Sequence, residues 1–181
     1  MGSIVVHEFI SLDGVYENPG WTAEFGFTEA LGAAIGRMTT GSTAILLGRN
    51  TFDMFGPAWS ERTAEDDPGA PFFNDTAKFV VSTSSASVNG WANSRLLGPY
   101  DADAIRSLKS DHEKIYVSGS GTLVRALIAD GLVDELHLLV YPIVLGSGAR
   151  LFAADGVQTR LRLSETESFD NGVVHLTYGP H

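Results

Sequence analysis

The sequence predicts an α/β fold with a parallel body and an antiparallel end, and three observations carry that reading. Between Ile4 and Asp130, short β-branched or apolar runs alternate with amphipathic ones, the pattern of strands joined by helical crossovers. Ser118-Gly119-Ser120-Gly121 joins one such strand directly to one such helix. After Glu135 the character changes: Leu161 and Leu163 alternate with Arg160, Arg162 and Ser164, and Asn171-Gly172 reads as a type I′ hairpin turn leading into Val173 to Tyr178. These last strands are expected to be antiparallel.

Ile4 to Ile10 is apolar around His7 and Glu8 and ends in the turn chemistry of Asp13-Gly14 and Asn18-Pro19-Gly20, so it reads as a first strand running into a loop. Leu31, Ala34, Ile35 and Met38 recur at helical spacing behind Thr28, a candidate N-cap. Thr43 to Leu47 is a buried strand opening into Gly48-Arg49-Asn50-Thr51, with a short helix expected over Phe52 to Phe55. Glu61 to Pro71 holds Glu65, Asp66 and Asp67 with Pro68 and Gly69, and reads as a solvated loop. Lys78 to Thr83 and Arg95 to Leu97 are the next strands. Asp101 or Asp103 then caps a helix carrying Ile105 and Leu108. The strand from Lys114 to Val117 enters the Gly/Ser turn, and the helix from Thr122 to Asp130 stops at Gly131, a left-handed cap. Leu136 to Val140 is a strand that Pro142 ends, because proline cannot donate to a ladder.

Composition narrows the partners. The 181 residues carry a hydrophobic fraction of 44%, enough for one full core, so one domain over residues 1–181 is expected. A formal charge of −10 repels nucleic acid and anionic lipid, and neither is expected as a partner. With no cysteine there are no disulfides, thiolate metal sites or Cys nucleophiles, which fits a reducing compartment; the cytoplasm is the expected location. The opening apolar run has no basic flank and is interrupted by His7 and Glu8, so it is not read as a signal peptide, and no run approaches the length of a membrane span.

The turn at Gly119 and Gly121 has the chemistry of a phosphate cradle. Without β-carbons the backbone N–H groups can approach an anion, and Thr122 opens a helix whose unpaired N–H groups favour negative charge. Tight packing explains such a turn equally well. The dinucleotide fingerprint of doubly wound folds fails, since its third glycine would fall on Val124. Arg49 is either a two-pronged phosphate ligand or a surface ion pair. His7, His112, His137, His175 and His181 lack ligand spacing, so no metal is expected, and these histidines are read as strand or surface residues. Ser118 in place of a glycine two residues before Ser120 excludes a hydrolase nucleophile elbow.

Several pieces in order along the chain resemble the dihydrofolate reductase-like superfamily, in the branch of the riboflavin-biosynthesis reductase domain. They are Ser11-Leu12-Asp13-Gly14, Leu46-Leu47-Gly48-Arg49-Asn50-Thr51, Ser118-Gly119-Ser120-Gly121-Thr122-Leu123, Gly131 to Leu136, and Tyr141 to Gly148. The resemblance spans nearly the whole chain. It implies a single-domain, mostly parallel sheet of about eight strands with a C-terminal antiparallel hairpin and helices on both faces. It also implies NADPH across the carboxyl edge, its phosphates held by Gly48, Arg49, Asn50 and Thr51 and by Gly119, Ser120, Gly121, Thr122 and Leu123. Ser82 and Thr83, with Ser84, would meet the adenosine end.

On the same footing, the substrate side is expected between Ser11 to Trp21, the first helix and the Pro142 to Gly148 turn, with Ser11, Asp13, Trp21, Phe25 and Gly146 as candidate contacts. Asp13 is the first candidate acid, or simply a turn-former before Gly14. Glu24 is the second, with Glu29 as the other carboxylate of that region. Trp21 and Phe25 would stack a flat heterocycle or pack the core. The zinc deaminase often fused to such reductases has no counterpart, since His-x-Glu and Pro-Cys-x-x-Cys are both missing. Gly48-Arg49-Asn50-Thr51 is closer to the folate reductase form of that turn than to the riboflavin form. The implied activity is NADPH-dependent reduction of a small aminouracil- or pterin-like heterocycle. The alternatives are a nucleotide-binding module of the same fold without turnover, and a dimeric structural protein without cofactor. A homodimer through the late strands is expected.

Overall fold

The computed structural model describes residues 2–152, 156 and 158–181. Eight strands form one sheet: β1 (Ser3–Ser11), β2 (Ala44–Gly48), β3 (Ala77–Val81), β4 (Ser94–Gly98), β5 (Lys114–Ser118), β6 (Glu135–Tyr141), β7 (Leu161–Ser168) and β8 (Val174–Pro180). Their order is β4-β3-β2-β5-β1-β6-β8-β7. The pairs from β4 across to β6 are parallel, whereas β8 runs antiparallel to both β6 and β7. This is the parallel body and antiparallel end that the sequence predicts.

Five α-helices cover the two faces: α1 (Glu29–Thr39), α2 (Arg49–Trp59), α3 (Ala70–Asp75), α4 (Ala102–Asp111) and α5 (Gly121–Ala129). Side chains alternate across each strand, so Ile4, Val6, Leu46 and Val117 join Ile105, Leu108, Val124 and Leu127 of α4 and α5. Ile45, Leu47, Tyr116 and Leu139 join Leu31, Ala34, Phe52 and Phe73 of α1, α2 and α3 on the other face. Burial of each such aliphatic chain contributes about 1.5–3 kcal/mol before entropy is counted. β1 is buried on both faces and paired on both edges, which makes any polar side chain inside it costly.

Three local expectations need correction. The helix after Gly48 runs from Arg49 to Trp59 instead of Phe52 to Phe55, continuing past Pro57. The loop expected from Glu61 to Pro71 ends earlier, at α3, which Pro71 helps to start because proline suits the first helical turn. The buried Lys78 ammonium then closes α3 by donating to the carbonyls of Phe73, Asn74 and Thr76. In the final hairpin Gly172 has positive φ (83°) and Asn171 does not. Phe169 N–H donates to Val173 O and Gly172 N–H to Phe169 O. The turn is therefore a three-residue loop with a left-handed glycine, not type I′.

The caps follow the sequence more closely. Thr28 Oγ1 accepts from Leu31 N–H at 3.2 Å at the start of α1. Of the two candidates for α4, Asp101 is the cap, accepting from the N–H groups of Asp103 and Ala104. Gly131 ends α5 in the left-handed region, φ 64°.

Candidate functional site

β5 stops at Ser118, level with His7 of β1, while β6 follows β1 as far as Ser11. The carboxyl edge therefore has a step beside β1, and a cleft of about 770 Å³ opens there, where ligands of open α/β sheets generally bind. Its walls are the turns after β2, β3 and β5, and its rim is formed by Tyr16 to Pro19. Every position expected to contact cofactor lines it: Gly48 to Thr51, Ser82 and Thr83, and Gly119 to Leu123.

The two glycine turns touch each other. Gly48 N–H donates to Ser120 Oγ at 2.8 Å. A β-carbon on Gly48 would lie 3.3 Å from the Ser120 side chain, and one on Gly119 would lie 3.4 Å from Thr51 Oγ1. Gly119 (φ 58°) and Ser120 (φ 68°) are both left-handed, a conformation that costs an L-residue and so suits glycine at the first position. Gly119 N–H donates to His7 O at 3.1 Å and pins this reversal to β1. At Gly121 a β-carbon would overlap the Tyr16 ring, which packs on the start of α5.

Neither α2 nor α5 has a side-chain cap. The first-turn N–H groups of a helix lack intrahelical acceptors, and here they belong to residues that line the cleft, Arg49 to Thr51 and Gly121 to Leu123. Arg49 adds a guanidinium, 23% exposed, whose Nε donates to Asp53 and whose Nη1 donates to the Ala86 carbonyl, both at 2.9 Å. Both readings of Arg49 meet here: it is ion-paired, and it lines the cleft.

The candidate substrate positions lie elsewhere. Asp13 binds the loop after β6 to the loop after β1. Oδ1 accepts from the Ser11 hydroxyl at 2.7 Å and from Leu145 N–H at 3.0 Å, and Oδ2 accepts from Gly146 N–H at 2.9 Å and from Arg150 at 3.3 Å. The Ser11 hydroxyl first, then the Leu145 and Gly146 N–H groups, hold its carboxyl well below the usual carboxylate range. So bonded, Asp13 has no proton to donate at neutral pH and acts as a clip. Glu24 is exposed on a 3₁₀ turn, Pro19–Phe25. Trp21 and Phe25 pack edge-on against Tyr141, with ring centroids 5.4 and 5.5 Å away. None of Ser11, Asp13, Trp21, Glu24, Phe25 or Gly146 lines the cleft with the glycine turns.

Its floor holds two residues that sequence reasoning passed over, His7 and Glu8. Both are buried, and each has an atom without a hydrogen-bond partner, His7 Nε2 and Glu8 Oε1. The Tyr116 hydroxyl lies 2.8 Å from His7 Nδ1 and fixes the ring. Burial, chiefly, pushes His7 down to about 3. Burial likewise pushes the Glu8 carboxyl up to about 8, against the opposing charge of Arg125. The signal was present: two adjacent polar residues inside an apolar strand. What it lacked was the neighbours of that strand.

The chain matches the family model of the RibD C-terminal domain over residues 3–97 and 100–175. An uncharacterised protein of Bacillus subtilis (strain 168), YyaP, is 26% identical over 189 aligned residues, covering 97% of this chain and 93% of that one. Among solved structures, one described as a riboflavin biosynthesis protein from Shewanella sp. PV-4 superposes with a TM-score of 0.80 at 20% identity, covering 99% of both chains. A Thermotoga maritima diaminohydroxyphosphoribosylaminopyrimidine deaminase/5-amino-6-(5-phosphoribosylamino)uracil reductase gives a TM-score of 0.68 at 14% identity, covering 99% of this chain and 57% of that one. At these identities the superpositions speak for the fold.

Proposed function

Because the chain belongs to the RibD C-terminal domain family, we propose that it is an NADPH-dependent reductase of a small aminouracil- or pterin-like heterocycle, acting on a C=N or C=O bond. One observation carries the cofactor half of this reading. Of the three α-helices without a side-chain cap, α2, α3 and α5, two start on one and the same cleft, α2 and α5, while α1 and α4 are capped by Thr28 and Asp101. Uncapped N–H groups converging on one cavity suit a diphosphate. They also supply local positive potential to a chain whose net charge would otherwise repel it.

The residues present fit the group. Gly48 and Gly119 leave room where a β-carbon would crowd the opposite turn. The N–H groups of α2 and α5 would hold the pyrophosphate, and Arg49 with Ser82 or Thr83 would read a 2′-phosphate. When bound, the nicotinamide supplies hydride. The chain's part is to orient the acceptor, exclude water from the step beside β1, and manage the accompanying proton. A uracil reductase activity is named for the Thermotoga relative, and an aminouracil is accordingly the first substrate to try.

Protein fluorescence titrated with NADPH tests binding, and NADPH oxidation with an aminouracil or a dihydropterin tests turnover. Saturable binding with oxidation is the expected result. Binding without oxidation on either substrate would favour the module that only holds nucleotide. No change in fluorescence or melting temperature with NADPH would overturn both readings, because a native-state ligand must stabilise the fold.

A further inference from the structure

Among the described residues, Glu8 is the buried carboxyl that lines the cleft, and its placement exceeds what packing needs. It is 2% exposed, on the central strand of the sheet, with Oε1 unpartnered. A buried polar atom without a partner costs stability, and replacing it with an apolar group would cost less. Its neighbours on the strand are Val6 and Ile10 on the same face, both apolar and buried. The step where β5 ends at the level of His7 leaves this position facing the cavity that the two glycine turns line.

Resting on the reductase reading, we propose that Glu8 is the acid that supplies the proton of the reduction, which selects acceptors carrying a basic atom, an imine nitrogen or a carbonyl oxygen, next to the carbon that takes hydride. The Glu8 O–H bond breaks and an N–H or O–H bond forms on the acceptor, using the electron pair released from the double bond as its carbon receives hydride. Glu8 is left as a carboxylate and recovers its proton from water. The charged and titratable groups around it are Arg125 of α5, Tyr116 of β5 and His7 on its own strand. Of these, Arg125 favours the carboxylate and burial outweighs it, so Glu8 keeps its proton at neutral pH. His7, kept neutral by burial, has no proton to spare as an acid. Asp13 is held ionised by its hydrogen bonds.

The test compares wild type, Glu8→Gln and Glu8→Asp in NADPH oxidation with an aminouracil and a dihydropterin, beside NADPH binding and the infrared carbonyl band of a protonated carboxyl. Wild-type turnover is expected below the Glu8 pKa of about 8 and to be lost as pH rises through it. Glu8→Gln is expected to lower turnover by about a hundredfold or more, with NADPH affinity changed by less than about threefold, and Glu8→Asp to restore part of the rate. The infrared band should be present in wild type at neutral pH and missing in Glu8→Gln. Turnover of Glu8→Gln within about threefold of wild type, or a wild-type spectrum lacking the band, would overturn the assignment alone. If wild type binds NADPH and oxidises it with neither substrate, the reductase reading falls and takes this inference with it.

Discussion

The loops after β2 and β5 leave the same sheet edge as the loops after β1 and β6, and the two pairs differ in what their polar groups touch. On the β1 and β6 side nearly everything is bonded within the chain: Asp13 takes the N–H groups of Leu145 and Gly146, Leu12 N–H reaches Ile143 O, Tyr16 N–H reaches Ala149 O, and Val15 bridges to Arg150. On the β2 and β5 side two helices start without side-chain caps, and Glu8 Oε1 and His7 Nε2 stay unpartnered below them. Polar groups near an edge become structural when satisfied and are available to a ligand when they are not. The motif most suggestive of chemistry in the sequence, Ser11 to Gly14, belongs to the satisfied side.

The comparison can be broken in order of expected effect. The largest is a stability change with pH. Burial raises the Glu8 carboxyl from 4.5 to about 8, so its contribution is fully present below about 4.5 and lost as pH rises through about 8. Glu8→Gln should therefore raise the melting temperature by on the order of 10 °C in alkaline buffer and barely at acid pH. A variant that melts lower than wild type in alkaline buffer would mean that Glu8 is structural. Next, Gly121→Ala drives a β-carbon into the Tyr16 ring. At an overpacking cost of about 1–3 kcal/mol, NADPH affinity should fall by roughly ten- to a hundredfold in a fluorescence titration. Arg49→Ala should weaken NADPH by about tenfold and NADH by less than about twofold, if the guanidinium reads the 2′-phosphate. Equal losses for both cofactors would leave Arg49 as the partner of Asp53 alone.

Asp13→Asn should leave NADPH affinity unchanged while lowering thermal stability. Here the pH dependence has the opposite sign to that of Glu8. The Asp13 carboxyl is depressed by its hydrogen bonds, so its contribution is present above the ordinary carboxylate pKa and lost on acidification through the lower folded value. The gap between the melting curves of wild type and Asp13→Asn should close as the buffer is made acid. A gap that persists unchanged would mean that the clip does not depend on the charge.

What the sequence made legible was local chemistry. Glycine at 131 needed left-handed backbone, Thr28 and Asp101 offered caps, Pro142 ended a strand, and each of these is decided within a few residues. Failures came where local signals competed. Asn171-Gly172 has the composition of a type I′ turn, but the pairing of Phe169 with Val173 sets a longer loop. Pro57 hid the second half of α2, and the acids before Pro71 hid the start of α3. Glu8 stood out only as half of a polar pair inside an apolar strand, and that alone did not say what it faces. Its meaning depends on β1 lying between β5 and β6, and on β5 ending before β1 does, which only the sheet order reveals.

The central claim is that the starts of α2 and α5 hold one ligand together, and backbone amide shifts followed during an NADPH titration test it most directly. The amides of Asn50 and Thr51 and those of Gly121, Thr122 and Leu123 should move along a single binding curve while Leu145, Gly146 and Ala149 stay in place. Separate curves for the two helices, or movement confined to the loop that Asp13 clips, would contradict it.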